Sequence, residues 1–461
     1  QIPRGVAIVA DNMWHAMTAR DAVTVEWDTS EAEKLSSSEL MASYHEIAAK
    51  PGAATATNTG DVETAFAAAA KVIEATYEFP YLAHAPLEPL NAVARIENGR
   101  VEVWGGHQMP DVYAAISAKI AGVAADKVTL HVMKTGGGFG RRAVADGDII
   151  SEAVSVSKAL GGRPVRVQWT REDDMRAGRY RPAYVHRLKA GLDANGNVIA
   201  WQNHIVGQSI LAGTPFDNGK GGIDRTSVEG SDNLPYAFPN MKVELTTTKV
   251  GVPVLWWRSV GSTHTAYAVE AFIDEVAEAA GKDPIAFRLA LIKNRPRHVA
   301  ALKLAAEKAG WGQSLPAGRF RGVAVAESFG TVVAEIAEIS VENGEPKVHR
   351  VVCAVDCGIA VNPDNVRAQM EGGIGFGLGA VLKSKLTLDK GRVVEGNFDS
   401  YEVLRLDEMP AVEVHIVPSE AKPSGVGEPG VPPIGPAVAN AFYQATKRRI
   451  RALPFKQSQN T

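Results

Sequence analysis

The length of the chain is what most limits the ways in which it can fold. A single hydrophobic core seldom grows beyond about 250–300 residues, and this chain has 461. Two or three domains are therefore expected, each with a core of its own. The first residues lead directly into an apolar run at residues 5–10. That opening is typical of the middle of a domain, so we expect a chain that is either processed or truncated from a longer one.

Charge and hydropathy argue against some classes of function. The formal net charge is -3, which provides no basic field for nucleic acid or an anionic membrane surface. The sequence has no run of about 18 apolar residues that could span a bilayer. Its two cysteines, Cys353 and Cys357, cannot ligate an iron–sulfur cluster or a four-ligand zinc site by themselves. Their spacing permits a disulfide, although two buried thiols are the expectation.

Hydrophobic periodicity predicts an α+β chain with mixed sheets. Near the N-terminus, predicted strands at 6–10 and 23–27 flank a helix at 12–20, a piece too small to bury a core. Residues 35–59 are rich in Ser, Ala and Thr and are predicted to be a linker with a short helix. Hairpins are predicted at 93–104 and 184–206. The long predicted helices are 144–160, 265–281, 366–378 and 436–447.

Three units follow from these elements: residues 1–60, residues 61–315 and residues 316–461. The last boundary falls at residues 316–319, a Pro-Ala-Gly-Arg segment. Residues 208–239 are full of Gly, Asp and Pro and are predicted to be a loop that covers a site.

A glycine-rich loop lies between a predicted strand and a predicted helix. It reads Thr-Gly-Gly-Gly-Phe-Gly-Arg-Arg at residues 135–142. Consecutive glycines can turn backbone N–H groups toward an anion, and a helix N-terminus reinforces that arrangement. The loop lacks the Lys-Ser/Thr of a P-loop, and no acidic residue completes a dinucleotide fingerprint. By itself, it fits a tight structural turn as well as an anion site.

Glu428 lies in a loop of glycines and prolines at residues 425–436, just before a predicted helix. Loops held by a rigid scaffold often carry catalytic residues. A buried Glu among apolar neighbours has a raised pKa, which suits a general base near neutral pH. Taken alone, the motif is more simply interpreted as a solvated loop carboxylate.

Further motifs place polar residues beside turns. Gln108 follows Gly-Gly-His, Arg258 lies in Trp-Arg-Ser, and Gln369 lies near a helix start in Ala-Gln-Met-Glu-Gly-Gly. His84 and Glu88, in His-Ala-Pro-Leu-Glu-Pro, are predicted to be structural hydrogen-bonding residues. Each motif has a structural interpretation when taken alone.

In their order along the chain, these motifs resemble the large, molybdopterin-binding subunit of the xanthine oxidase family of molybdenum hydroxylases. The series is His-Ala-Pro-Leu-Glu-Pro, Gly-His-Gln, Gly-Gly-Gly-Phe-Gly, Trp-Arg-Ser, Asp-Cys-Gly-Ile-Ala-Val-Asn-Pro with Ala-Gln-Met-Glu-Gly, and Gly-Val-Gly-Glu-Pro-Gly. The likeness is to the C-terminal portion of the isoquinoline 1-oxidoreductase β-subunit branch, which includes membrane-associated bacterial aldehyde dehydrogenases. It implies cofactor-binding domains of the aldehyde oxidase/xanthine dehydrogenase type, with a partial α/β hammerhead within residues 1–60.

The resemblance also implies roles for single residues. Glu428 would be the catalytic base, Gln108 would hydrogen-bond an oxygen ligand of molybdenum, and Arg258 would lie beside the metal or the substrate. The cofactor-binding residues would be Gly137, Gly138, Phe139, Gly140, Gln369 and Gly427. The metal would have no protein ligand, because the pterin dithiolene holds it.

The implied cofactor is molybdenum with molybdopterin cytosine dinucleotide. The implied reaction hydroxylates or oxidises an aldehyde or an N-heterocycle, with water as the oxygen source. Electrons would leave through a small partner subunit with 2Fe-2S clusters, often followed by a cytochrome c subunit. The branch further implies a periplasmic or periplasmic-membrane-associated location.

The sequence departs from the family pattern in two places. Gly140-Arg141-Arg142 stands where common relatives have Gly-Gly-Lys, which fits the isoquinoline branch. A Gly-Gln-Gly motif that contacts the pterin is expected ahead of residue 1, on the N-terminal part of the subunit as a separate chain. Two alternatives stay open at this point. One is a non-catalytic half-subunit that needs that chain to bind cofactor, and the other is a nicotinamide-dependent dehydrogenase, against which the missing acidic ribose partner argues.

Overall fold

The computed structural model describes residues 1–217 and 220–457. Its strands, in chain order, are β1 (Ala54–Thr59), β2 (Lys71–Phe79), β3 (Asn91–Glu97), β4 (Arg100–Gly105), β5 (Val128–Val132), β6 (Val165–Gln168), β7 (Tyr184–Leu192), β8 (Val198–Gln208), β9 (Met241–Thr248), β10 (Phe320–Ser328), β11 (Thr331–Glu342), β12 (Glu345–Asp356), β13 (Leu388–Asp389), β14 (Arg392–Val393) and β15 (Ala411–Ile416).

Several helices begin after a polar side chain that caps their first turn. Asp61, Asp283 and Asn362 each accept a hydrogen bond from the first turn of the helix that follows. In chain order the helices are α1 (Met13–Asp21), α2 (Ser37–Ala48), α3 (Val62–Ala67), α4 (Pro110–Ala121), α5 (Asp148–Ala159), α6 (Arg171–Arg176), α7 (Arg225–Val228), α8 (Ser262–Ala279), α9 (Pro284–Leu291), α10 (Pro296–Ala309), α11 (Pro363–Leu382) and α12 (Ile434–Thr446).

Three larger sheets organise the described residues. Their strand orders are β1-β9-β8-β7-β2, β5-β4-β3-β6 and β10-β11-β12-β15, and β13 and β14 form a short ladder. Each larger sheet is antiparallel except for one parallel pair, namely β8 with β9, β4 with β5, or β12 with β15. The prediction of an α+β chain with mixed sheets is therefore confirmed.

Helix α8 connects the first of these sheets to the third. It packs against β2 and β7 on one side and against β10 and α12 on the other, so nearly all its side chains are buried. Its buried carboxylates are paired: Arg288 lies 2.9 Å from Glu270, and Arg449 lies 2.9 Å from Asp274. Burying a charge is costly unless it is paired and hydrogen-bonded. This helix is a rigid support for the turn that precedes it, at residues 256–261.

The strands predicted at residues 6–10 and 23–27 were wrong. Neither segment pairs with a strand of the described chain, and Val6 and Trp27 are 69% and 77% exposed. An apolar run becomes a strand only where a neighbour satisfies its backbone groups, and no described segment does so here. The helix predicted between them is present as α1, capped by Asn12. The predicted unit boundaries at residues 60 and 315 stay predictions.

The prediction of a linker with a short helix at residues 35–59 was right about the helix, which is α2, and wrong about the linker. Helix α2 buries Leu40, Tyr44 and Ala48 against β7 and β8, and β1 forms the edge of the first sheet beside β9. Strand β9 and the short helices α6 and α7 were missed. The loop predicted at residues 208–239 is irregular apart from the end of β8, α7 and a short 3-10 turn, and residues 218 and 219 lie outside the described residues.

The two cysteines agree with the expectation from the sequence. Cys353 and Cys357 are free and buried, as expected. No helix of the described residues combines the length and the apolar composition that a membrane crossing requires.

Candidate active site

The glycine-rich loop follows β5 and has a backbone that other residues would not tolerate. Gly137, Phe139 and Gly140 have φ angles of 102°, 57° and 102°. A Cβ at Gly140 would lie 2.6 Å from the backbone oxygen of Trp256, and one at Gly138 would lie 2.8 Å from Oε1 of Gln108. Glycine is therefore required at residue 140 by close approach as well as by conformation, whereas residue 138 is crowded only by the flexible side chain of Gln108.

An ion pair and hydrogen bonds hold this loop and the turn beside it. Oε2 of Glu88 accepts hydrogen bonds from the Gly136 N–H at 2.8 Å and from Arg142 at 2.9 Å, and Nε of Arg142 donates to the Gly137 oxygen at 2.8 Å. Nε2 of His84 donates to the backbone oxygen of Trp256 at 2.8 Å, and burial lowers the pKa of His84 to about 3, so its ring is neutral. Glu88 thus supports the glycine-rich loop and His84 the turn at Trp256, and both are structural hydrogen-bonding residues, as the sequence predicted.

Gln108 lies directly beside the loop. Its backbone N–H donates to the Arg142 oxygen at 2.9 Å, and its Oε1 accepts from the Arg142 N–H at 3.2 Å. Its Nε2 has no acceptor among the described residues. Because the side chain is exposed, that nitrogen is available to a ligand bound over Gly138.

Arg258 connects three distant segments. Its backbone N–H donates to the oxygen of Phe139 at 3.0 Å. Its Nε donates to the oxygen of Gly427 at 2.8 Å, and its Nη2 donates to Oε1 of Gln369 at 3.2 Å. The guanidinium, which stays cationic at any physiological pH, thereby lies between the glycine-rich loop, α11 and the loop of Glu428.

Glu428 is held by the residue that follows Arg258. Its Oε1 accepts from the Ser259 N–H at 2.8 Å, while Oγ of Ser259 donates to the Glu428 backbone oxygen at 2.6 Å. Burial raises the pKa of Glu428, an effect that the Ser259 hydrogen bond and the Arg258 charge oppose. Its Oε2 has no donor within the described chain, so it can accept a proton from a bound molecule.

Two residues of this region were missed in the sequence. Phe376 stacks between Phe139 and Trp257, with both pairs of ring centroids 4.4 Å apart. The glycine spacing of α11 was a signal for Phe376, since glycines let a helix pack closely against other segments.

The second missed residue, Glu229, lies in the irregular segment before β9, and its Oε1 accepts from the Gly261 N–H at 2.7 Å. No local pattern marks it, because its neighbours are distant in sequence.

All nine predicted site residues thus lie in one connected cluster, although their individual roles stay predictions. The N–H groups of residues 137–140 have no acceptor among the described residues. With Nε2 of Gln108 and the Arg258 guanidinium, they form a set of donors that suits a ligand rich in oxygen acceptors. No group of three or more His, Cys, Asp or Glu side chains in the described ranges is arranged to hold a metal ion.

Comparison with known families identifies such a ligand. The family model described as "Molybdopterin cofactor-binding domain" matches residues 44–291, and a second model of the same description matches residues 257–410. The chain belongs to this family of molybdopterin cofactor-binding domains, which confirms the resemblance to the molybdenum-binding subunit of the xanthine oxidase family. The donors around residues 137–140 fit such a cofactor, whose pterin and phosphate groups are rich in acceptor atoms.

Individual relatives extend the likeness along the chain. The isoquinoline 1-oxidoreductase subunit beta of Brevundimonas diminuta is 30% identical over 99% of this chain and 60% of its own length. A protein of Gluconacetobacter polyoxogenes named membrane-bound aldehyde dehydrogenase [pyrroloquinoline-quinone] is 32% identical over 99% of this chain and 63% of its own. The chain thus spans about three fifths of the length of these curated relatives.

Solved structures share the fold at lower identity. Quinoline 2-oxidoreductase from Pseudomonas putida 86 superposes with a TM-score of 0.78 at 15% identity, covering 96% of this chain and 83% of that one. Aldehyde oxidoreductase from Desulfovibrio gigas superposes with a TM-score of 0.77 at 16% identity, covering 96% and 67%. These neighbours establish the architecture of the chain, and at such identities they establish nothing beyond it.

Proposed function

We propose that this chain is the catalytic part of a molybdenum hydroxylase that oxidises an aldehyde or an N-heterocycle, with water as the oxygen source. One observation carries the proposal. The carboxyl group of Glu428, with one oxygen free, lies on the turn of Arg258, whose backbone N–H donates to the Phe139 oxygen of the glycine-rich loop. That same loop carries the unpaired N–H groups. A general base is thereby joined to the donors that would bind the cofactor.

Each residue of the site would have a separate role in this reaction. When bound, the cofactor would supply the two-electron oxidation and an activated oxygen. Gln108 and the N–H groups of the glycine-rich loop would orient it by donating hydrogen bonds. Glu428 would accept a proton at its Oε2, and its raised pKa makes it a stronger base than an exposed glutamate. Arg258 would stabilise negative charge that develops beside Glu428.

The cytosine dinucleotide form of the cofactor belongs to the proposal as well, with Gln369 and Gly427 as its contacts. Electrons would pass to a small iron–sulfur subunit and from it, in some assemblies, to a cytochrome c. The enzyme would act in the periplasm or at its membrane. Relatives named as one subunit of an enzyme support a heteromeric assembly.

A quinone-dependent aldehyde dehydrogenase is a second candidate, because one relative's name includes pyrroloquinoline-quinone. The two matches to molybdopterin-binding domains favour molybdenum. Purification with all partner subunits, followed by metal analysis and quinone extraction, separates the two. We expect molybdenum near one atom per chain and no quinone. Absence of molybdenum from the complete complex would exclude the hydroxylase.

The substrate class is tested on the same preparation. Turnover of an aliphatic aldehyde and of isoquinoline is compared in water labelled with oxygen-18. A hydroxylase incorporates the label into its product, and Glu428→Gln should abolish turnover of either compound while molybdenum content is unchanged.

A further inference from the structure

Two carboxyl groups bind the same short turn. Glu428 accepts a hydrogen bond from the Ser259 N–H at 2.8 Å, and Glu229 accepts one from the Gly261 N–H at 2.7 Å. Neither carboxyl has a Lys, Arg or His partner within ion-pair distance among the described residues. Two partly buried acids on one turn, without a cation bonded to either, call for a physical explanation.

The turn is strained, and Glu229 helps to hold it. Ser259 and Val260 have φ angles of 77° and 48°, a conformation that β-branched residues such as valine rarely adopt. Oγ1 of Thr265 donates to the backbone oxygen of Glu229 at 2.7 Å, which ties the acid to α8. A Cβ at Gly261 would lie 2.9 Å from Cγ of Glu229, so the acid and the turn are in close contact.

The charges around the pair act in one direction on Glu229. Burial raises the pKa of Glu229 to about 7, and the negative charges of Glu428 and Asp224 add to that rise against the hydrogen bonds from Gly261 and Ser262. Arg258, by contrast, acts on Glu428 and lowers its pKa. The pKa of Glu229 therefore lies near 7, in part because of the negative charge of Glu428.

We propose that Glu229 is a positioning residue for Glu428, and that its charge state sets how strongly Glu428 holds a proton. Neutral Glu229 leaves Glu428 as the single charge on the turn. Ionised Glu229 places a second negative charge beside it and makes Glu428 a stronger base. The kinetic part of this inference rests on the proposed function, whereas the coupling between the two carboxyl groups does not.

The coupling is measured without turnover, by pH-difference infrared spectroscopy of the complete enzyme. We expect a carboxyl that loses its proton near pH 7 and that is absent from Glu229→Gln. In Glu428→Gln the same carboxyl should titrate at lower pH, because the charge that raised its pKa is gone. Asp232→Asn, on the same segment but paired with Arg225, is the control and should leave the titration unchanged. An identical midpoint in wild type and Glu428→Gln would refute the coupling.

Stability and kinetics supply the remaining readouts. Since the pKa of Glu229 is higher in the folded chain than the ordinary 4.5, its contribution to stability is full at low pH and lost as pH rises through about 7. The melting temperature of Glu229→Gln, measured relative to that of the wild type, should therefore increase as pH increases. Below pH 7, the kcat/KM of Glu229→Gln should equal that of the wild type. Above pH 7, it should be about two- to fivefold lower than that of the wild type. An equal loss at every pH would mean a structural role only.

These outcomes separate the two proposals. If the wild-type enzyme contains no molybdenum and oxidises neither substrate, the proposed function is wrong. The infrared midpoints would still show whether the protonation of Glu229 depends on Glu428. If the enzyme is active but the titration midpoint of Glu229 is the same in the wild type and in Glu428→Gln, the inference is wrong and the proposed function stands.

Discussion

At the level of single residues, the site contains side chains that have two polar atoms, of which one is hydrogen-bonded within the chain and the other is not. Glu428 uses Oε1 for the turn and leaves Oε2 free, and Gln108 uses its oxygen for the loop and leaves its nitrogen free. Anchoring one end fixes the direction of the other, which is what preorganisation requires. Each side chain therefore holds its loop with one polar atom and keeps a second polar atom free.

Replacing Glu428 by glutamine tests the base directly. Gln keeps an acceptor for the Ser259 N–H but cannot take a proton, so kcat should fall by about 10²–10⁴-fold. Steady-state kinetics measure the loss, and molybdenum content and melting temperature should stay near wild type. Retention of more than a tenth of the activity would mean that another group is the base.

Replacing Arg258 by methionine tests the electrostatics of the base. The Arg258 charge lowers the pKa of Glu428, so its removal should raise that pKa. Because the base must be ionised, activity is lost as pH falls through this pKa, and the acidic limb of kcat/KM should move to higher pH. A limb that stays in place or moves to lower pH contradicts the assignment.

At the scale of elements, the site is assembled from loops, and each loop is held by a helix or a strand. The glycine-rich loop follows β5, the turn of residues 256–261 precedes α8, Gln369 lies on α11, and Glu428 precedes α12. Loops on a rigid scaffold can bring together residues that are remote in sequence without making the site mobile.

The substitution Gly140→Ala tests the close approach of two of these loops. The added Cβ would lie 2.6 Å from the Trp256 oxygen at a φ of 102°, so the loop must shift and molybdenum occupancy should fall by at least about tenfold, with a loss of roughly 1–3 kcal/mol in the free energy of unfolding. The matched control is Gly122→Ala, which has a φ of 81° but nothing within 4 Å. It should lose stability through conformation alone and keep its molybdenum. Equal occupancy in the two variants would exclude a role for the close contact.

At the scale of the whole molecule, one hydrophobic cluster extends from the first sheet through α8 to the third sheet and α12. The paired charges on α8 lie inside it. The turn before α8, helix α11 and the loop of Glu428 before α12 therefore adjoin one core, which fixes their relative position by packing. The glycine-rich loop follows β5, whose sheet packs on a separate cluster, and it joins the other segments through the contacts of Arg258.

Breaking a buried pair of α8 should destabilise the whole chain. Arg288→Met leaves Glu270 without its partner in a dry environment, and the free energy of unfolding should fall by about 3–5 kcal/mol. The control is Arg187→Met, whose exposed pair with Glu74 should be worth less than about 1 kcal/mol. Denaturant unfolding measures both, and equal losses would show that burial of the pair has no effect.

Sequence patterns predict those features that depend on residues close together in the chain. The Asn98-Gly99 turn between β3 and β4 and the Asp61 and Asp283 caps are of this kind. The need for glycine at residue 140, by contrast, comes from the distant Trp256. The ordered motifs, with Glu428 as the last, also identified the family. Tertiary structure alone decided that β1 pairs with β9, that residues 6–10 form no strand, and that Glu229 and Glu428 bind one turn. Such pairings depend on which distant segments meet, and no local pattern encodes that choice.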